Sequence, residues 1–105
     1  CDVAAVKVAK VGGLGAALGI GEVIPSYLSS ALEGPVGIAA AAHAVQALRS
    51  SGGDAGVAHG LATERLFSVS VGNGLASQRD ELFVGDGPGL GVELDEDALA
   101  ARRLD

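Results

Sequence analysis

The stretch that decides the fold is "VAAVKVAKVGGLGAALG", Val3 to Gly19. Val3–Ala9 is Val-rich and uninterrupted, and Gly12–Gly13 ends it, which predicts a strand followed by a turn. From Leu14 to about Ile24 the pattern is helical, with Leu14, Leu18 and Val23 as the expected inward positions and Pro25 as the stop. Lys7 is the puzzle: a cation in the middle of a short apolar strand. Strand side chains alternate faces, so Val6 and Val8 share one face and Ala5, Lys7 and Ala9 the other. The lysine's face is otherwise small, which gives its side chain room to extend. A nucleotide-binding loop, or a barrel strand that carries a catalytic lysine to the mouth of a site, would each account for it. The plainer alternative is an edge-strand lysine that reaches solvent.

Outward from that stretch, Ser26–Ser30 reads as a second short strand. Pro35 suits the first turn of a long helix over Pro35–Ser50, closed by Gly52–Gly53. Gly56–Gly60 reads as a third strand and Thr63–Ser68 as a brief helical piece. Beyond Val71 the chain is loop-rich, and "VGDGPGLGVELDEDAL" predicts turns, one extended stretch and a polar terminal helix. Strands alternating with helices predict an α/β fold with parallel strands and right-handed crossovers. The expected organisation is a segment over residues 1–70 and a tail over residues 71–105.

The 105 residues are 49% hydrophobic but only 3% aromatic, so Ala and Gly must do much of the packing. Large side chains usually supply most of the buried area, and so short a chain would bury little alone. The chain has no Met and opens at Cys1 directly into strand-like sequence, which suggests a fragment of a larger body. The net charge of −6 lacks the basic footprint of nucleic-acid binding. One cysteine allows no internal disulfide and no metal-ligand spacing. The longest apolar run, "VGIAAAAHAVQAL", is too short for a bilayer span and carries His43 and Gln46. A cytoplasmic protein with no membrane partner is the expectation.

Gly13, Gly15 and Gly19 approximate a dinucleotide fingerprint with one extra spacer, and Glu33 lies 20 residues past Gly13. Yet Glu33 falls beyond the strand tip, and the glycines also suit close helix–strand packing. A barrel strand accounts better for Lys7. There the lysine points inward near the C-terminal mouth, where such barrels keep their chemistry. It would act as an acid/base or as an electrostatic stabiliser of an enolate. The second strand ends in Ser29–Ser30 and the third at Gly60, so hydroxyls and backbone N–H groups would ring the same mouth. Such groups bind a carboxylate or carbonyl, although Ser29–Ser30 also suits capping before Pro35. His43 and His59 read as structural or exposed histidines, and no Ser/His/Asp or Cys/His arrangement points to nucleophilic catalysis.

Four blocks in order, "DVAAVKVAKVGGLGAAL", "SSALEGPVGIAAAAHAVQAL", "HGLAT" and "DGPGLGVELD", resemble the C-terminal part of the o-succinylbenzoate synthase family, of the actinobacterial type, within the enolase superfamily. Lys10 stands where that family commonly has proline, and Ala62 where it frequently has glycine. The resemblance implies strands six to eight of a (β/α)7β TIM-like barrel, with the tail returning toward an N-terminal capping domain. It implies metal-dependent dehydration of 2-succinyl-6-hydroxy-2,4-cyclohexadiene-1-carboxylate to o-succinylbenzoate, in menaquinone synthesis. Lys7 matches the sixth-strand lysine that stabilises the enediolate. Ser29 and Ser30 match the substrate-contacting end of the seventh strand, and Gly60 and Leu61 the eighth-strand segment beside the substrate. The implied cofactor is Mg²⁺, with its carboxylate ligands on earlier strands, so these 105 residues alone are expected to be inactive. N-acylamino acid racemases and dipeptide epimerases of the same superfamily would show nearly the same lysine. The expected partners are a small carboxylate substrate and the remainder of the chain's own barrel.

Overall fold

Gly12 and Gly13 both hold positive φ, 103° and 113°, and this left-handed turn separates two helices that come directly after the first strand. In the computed structural model, which describes residues 1–104, strand β1 covers Ala4–Val6. One helical turn, α1 (Val8–Val11), comes next, and then α2 (Leu14–Val23). Strand β2 (Ser26–Leu28) and the long helix α3 (Pro35–Ser51) complete the regular part of the first half. The strand expected over Val3–Ala9 is therefore shorter. The chain already turns helical at Val8, so Ala9 does not share a sheet face with Lys7.

β1 and β2 are parallel, with Ala4 opposite Ser26 and Val6 opposite Leu28. A third segment lies along the other side of β2, but it touches the ladder only at Asp54, opposite Ser26, and at Gly60, opposite Ser29. The continuous strand expected over Gly56–Gly60 does not form, because the chain bulges out between those two bridges. β1 has a ladder on one side only among the described residues.

α3 begins with Pro35, where a missing N–H costs nothing, and ends in a Schellman motif. There Gly52 takes the left-handed conformation at φ 81°, and the Gly53 N–H reaches the Leu48 carbonyl at 2.9 Å. Its inner face, chiefly Ile38, Ala42, Val45 and Leu48, packs with Val6 of β1 and Leu28 of β2 into the core. α2 packs on α3 through Ala17 and Gly21, which are buried. A Cβ at Gly21 would stand 2.3 Å from the Leu48 side chain, and one at Gly53 would stand 2.7 Å from the Gly21 carbonyl oxygen. This close approach corrects the expected inward face of α2. Leu14 is 40% and Val23 87% exposed, and only Leu18 of the three packs against the core.

The expected helical piece after the third segment is a 3-10 turn, Thr63–Leu66. The tail then folds back on the first half. β3 (Gly72–Asn73) pairs antiparallel with β6 (Glu93–Leu94), and β4 (Ser77–Gln78) with β5 (Glu81–Leu82) in a tight hairpin. The polar terminal helix is α4 (Glu96–Ala100), with the Asp95 carboxylate accepting the Ala98 N–H at 2.8 Å. Leu75, Leu82, Val84, Leu90 and Val92 attach the tail to the core, and His43 meets the Leu90 carbonyl at 3.3 Å. The radius of gyration is 14.2 Å, against about 13 Å for a compact domain of this length. The described residues thus form a mixed α/β globule with short strands and four helices, and no closed barrel is seen among them. No helix among them is long and apolar enough to cross a membrane.

Candidate functional site

Parallel strands that leave the sheet at one end place their last residues side by side, and three segments do so here. Lys7 comes directly after β1 and keeps an extended backbone, φ −106° and ψ 108°, before α1 begins. Its ammonium crosses to the end of β2, donating to Ser29 Oγ at 3.0 Å and to the Ser30 carbonyl at 2.7 Å. The Ser29 N–H is itself bound to the Val6 carbonyl at 2.9 Å, so the register of the two strands sets the lysine's partners. Ser30, almost fully buried, donates both its N–H (2.8 Å) and its Oγ (2.9 Å) to the Gly60 carbonyl. A Cβ at Gly60 would sit 3.5 Å from Ser29 Oγ, an ordinary contact, yet it would occupy space directly beside that hydroxyl.

Lys7, Ser29, Ser30 and Gly60 therefore converge. The Leu61 side chain turns into the core, and the expectation for this residue concerns its backbone. An ammonium has three donors and no acceptor, and two of the three are used. Both partners are uncharged, and among the described residues no carboxylate lies within ion-pair distance of Lys7. A half-buried cation with no counter-ion among the described residues, beside the Ser29 hydroxyl, suits an anionic oxygen such as a carboxylate or enolate.

The glycines of the first turn do not build a phosphate loop. In a dinucleotide site the glycine turn joins strand to helix, whereas here α1 intervenes, Gly12–Gly13 join two helices, and Gly15 and Gly19 lie inside α2. The Glu33 carboxylate is engaged locally, accepting the Ala31 N–H. No group of three or more His, Cys, Asp or Glu side chains that could hold a metal ion occurs among the described residues.

A second polar cluster lies on the third segment. His59, expected to be structural or exposed, is interior, with its side chain 9% exposed. Its Nδ1 accepts the Leu28 N–H at 2.9 Å, so the proton of the neutral ring sits on Nε2. Nε2 is 3.4 Å from Asp54 Oδ1, but too poorly aligned for a hydrogen bond, and has no other partner. Burial holds the His59 pKa below the ordinary histidine value, outweighing the attraction of Asp54. Burial alone would raise the Asp54 pKa. The Gly56 N–H, Arg49 (Nε to Oδ2, 3.0 Å) and His59 more than offset it and hold that carboxyl below its usual value. His59 and Arg49 line a cavity of about 460 Å³ between α3, the 3-10 turn and the β4–β5 hairpin. No local motif in the sequence announced it. The only signal is a His-Gly pair six residues after Gly52–Gly53.

Compared with known proteins, the chain matches no protein-family model and no curated protein.

Proposed function

We propose that this chain supplies the C-terminal strands of an o-succinylbenzoate synthase barrel, with Lys7 as the cation that stabilises an enediolate. The single observation that carries the proposal is the Lys7 ammonium, half-buried at the ends of parallel strands, held by Ser29 Oγ and the Ser30 carbonyl with no acidic partner among the described residues. Removing the α-proton of the substrate carboxylate develops negative charge on its oxygens. A fixed ammonium near those oxygens lowers the barrier because the charge forms where a cation already waits. Ser29 Oγ would trade its bond to Lys7 for one to the substrate, and Gly60 leaves room beside it. The one-sided ladder of β1 suits a preceding barrel strand, and an otherwise open edge is a liability.

A divalent metal belongs to this chemistry, where it would bind the carboxylate as a Lewis acid. The described residues supply no such site, so no step through a metal is assigned to them.

The test is Mg²⁺-dependent dehydration by the full-length polypeptide that contains these residues. Activity above the uncatalysed rate is expected, and Lys7→Ala should reduce kcat by about 100-fold or more, the usual cost of losing one oxyanion-stabilising donor. Full activity in Lys7→Ala, or no dehydration by the intact polypeptide, overturns the proposal. Racemisation of an N-acylamino acid or dipeptide without dehydration would move the chain to a neighbouring activity of the same superfamily.

A further inference from the structure

We propose that His59 is a proton-operated latch on the sheet, closed while its Nδ1 is bare and opened when a proton occupies that atom. On β2 and the residue after it the bridges to the third segment fall at Ser26 and Ser29, three residues apart, while on that segment they fall at Asp54 and Gly60, six apart. Three extra residues therefore bulge out, and one rung of the ladder has no backbone carbonyl to use. The N–H groups of residues 26, 28 and 30 all face this segment. Ser26 finds the Gly53 carbonyl at 2.8 Å, and Ser30 finds that of Gly60 at 2.8 Å. Leu28, fully buried, finds the His59 imidazole at 2.9 Å. The ring stands in for the missing peptide group.

An imidazole nitrogen can accept only while it carries no proton. With Nε2 already protonated, the next proton must go to Nδ1, which would then point a donor at the Leu28 donor. The hydrogen bond is lost, and the Leu28 N–H is left in the core without a partner unless the segment moves away. The effect would pass to Gly60, the next residue, whose N–H pairs with the Leu28 carbonyl at 2.9 Å and whose carbonyl holds Ser30. Ser30 in turn holds Lys7. The latch thus secures the lysine's cradle, and it stands on geometry whether or not the chain is catalytic.

Charged groups face the ring from several elements. Asp54, on the same segment, favours a charged ring, but its carboxylate already receives the Gly56 N–H and Arg49 Nε, from the end of α3. Across the cavity stand Glu64 and Arg65 of the 3-10 turn, and Asp80 and Glu81 of the hairpin. Burial prevails and holds the His59 pKa below its ordinary 6.5. For a base so depressed, the unfolded or opened state takes the proton first. The latch's contribution is complete above about pH 6.5 and is lost as pH falls from there to the folded value.

Amide hydrogen exchange of the whole chain, from about pH 7.5 to about pH 4.5, tests this directly, with the Ser26 N–H as internal reference because its carbonyl partner does not titrate. Below about pH 6.5 the protection of Leu28 and Gly60 relative to Ser26 should fall, by up to about tenfold per pH unit. His59→Asn, whose Oδ1 can accept the same N–H without titrating, should flatten that slope. Ring ¹⁵N shifts of the unaltered chain should show the proton on Nε2 at the upper pH. A ratio that does not change with pH, a slope that persists in His59→Asn, or a proton on Nδ1 at the upper pH overturns the latch. If His59→Asn does not fold, the wild-type slope and the ring shifts decide.

Discussion

The first 62 residues and the tail beyond them are built on opposite principles. The first part is rich in Ala and Gly and has no phenylalanine, yet it holds nearly all of the core, including Leu28, Ile38 and Leu48 at 0–1% exposure. The tail carries both phenylalanines and leaves them half exposed, Phe67 at 47% and Phe83 at 48%. Its strands are two residues long, whereas the first part stacks a 17-residue helix on a parallel ladder. Side-chain size does not decide burial here. Small residues let α2 and α3 approach until backbone nearly meets backbone, and the few leucines between them are sealed from water on all sides. The tail has larger side chains but no second layer to close over them.

The contrast breaks first at Leu48. Leu48→Ala empties a site that α2 cannot collapse into, and denaturant unfolding should show a loss of about 3–4 kcal/mol. Phe83→Ala removes a larger side chain from the tail yet should cost less than about 1 kcal/mol. Comparable losses for the two would refute the division. Next comes Gly53→Ala, whose new Cβ would press on the Gly21 carbonyl oxygen. A destabilisation of about 1–3 kcal/mol is expected from overpacking, and a neutral result would mean that α2 and α3 are free to separate. In the tail, Asp95→Ala removes the N-cap of α4 and should cost about 1 kcal/mol locally. Faster exchange of the Ala98 amide, with no movement of the main unfolding transition, would show the tail opening on its own.

The smallest effect belongs to Arg49→Ala. That side chain is 55% exposed, so at neutral pH its ion pair should contribute less than about 0.5 kcal/mol. That small difference should vanish in acid, where the carboxylate is protonated. The Asp54 pKa is depressed in the fold, so its stabilisation is present above the ordinary value of 3.8 and is lost as pH falls through the folded value. Without Arg49 the folded value rises toward 3.8, so that loss should be smaller and complete at higher pH, as an acid titration of unfolding would record.

Much of the first part could be read from the sequence because its signals are local. Pro35 and Gly52–Gly53 bound α3 by backbone chemistry that needs no neighbours. Parallel strands ending at one mouth were enough to place Lys7, Ser29, Ser30 and Gly60 near one another, although the third of those strands does not form. Periodicity misjudged α2, because it weighs Leu14 and Val23 as core candidates while the real contact is made by Ala17 and Gly21. That contact depends on how near α3 lies, which no window along one helix reports. The broken third strand was hidden for the same reason. Nothing in "DAGVAHG" says that a histidine ring will replace a peptide carbonyl until Leu28 is beside it.

The Lys7 ammonium has one further consequence, as a gauge of strand alignment. Because side chains alternate, sliding β2 by one residue against β1 would carry Ser29 to the far face and replace it with an apolar neighbour, Leu28, or with Ser30 shifted out of reach. The half-buried ammonium would then lose the hydroxyl and the carbonyl that receive its protons, a cost of about 1–3 kcal/mol. Burial of Val6 and Leu28 in the core already favours this alignment. The lysine adds a polar reason for the same alignment, so the side chain placed at the mouth of the sheet also helps to fix its register.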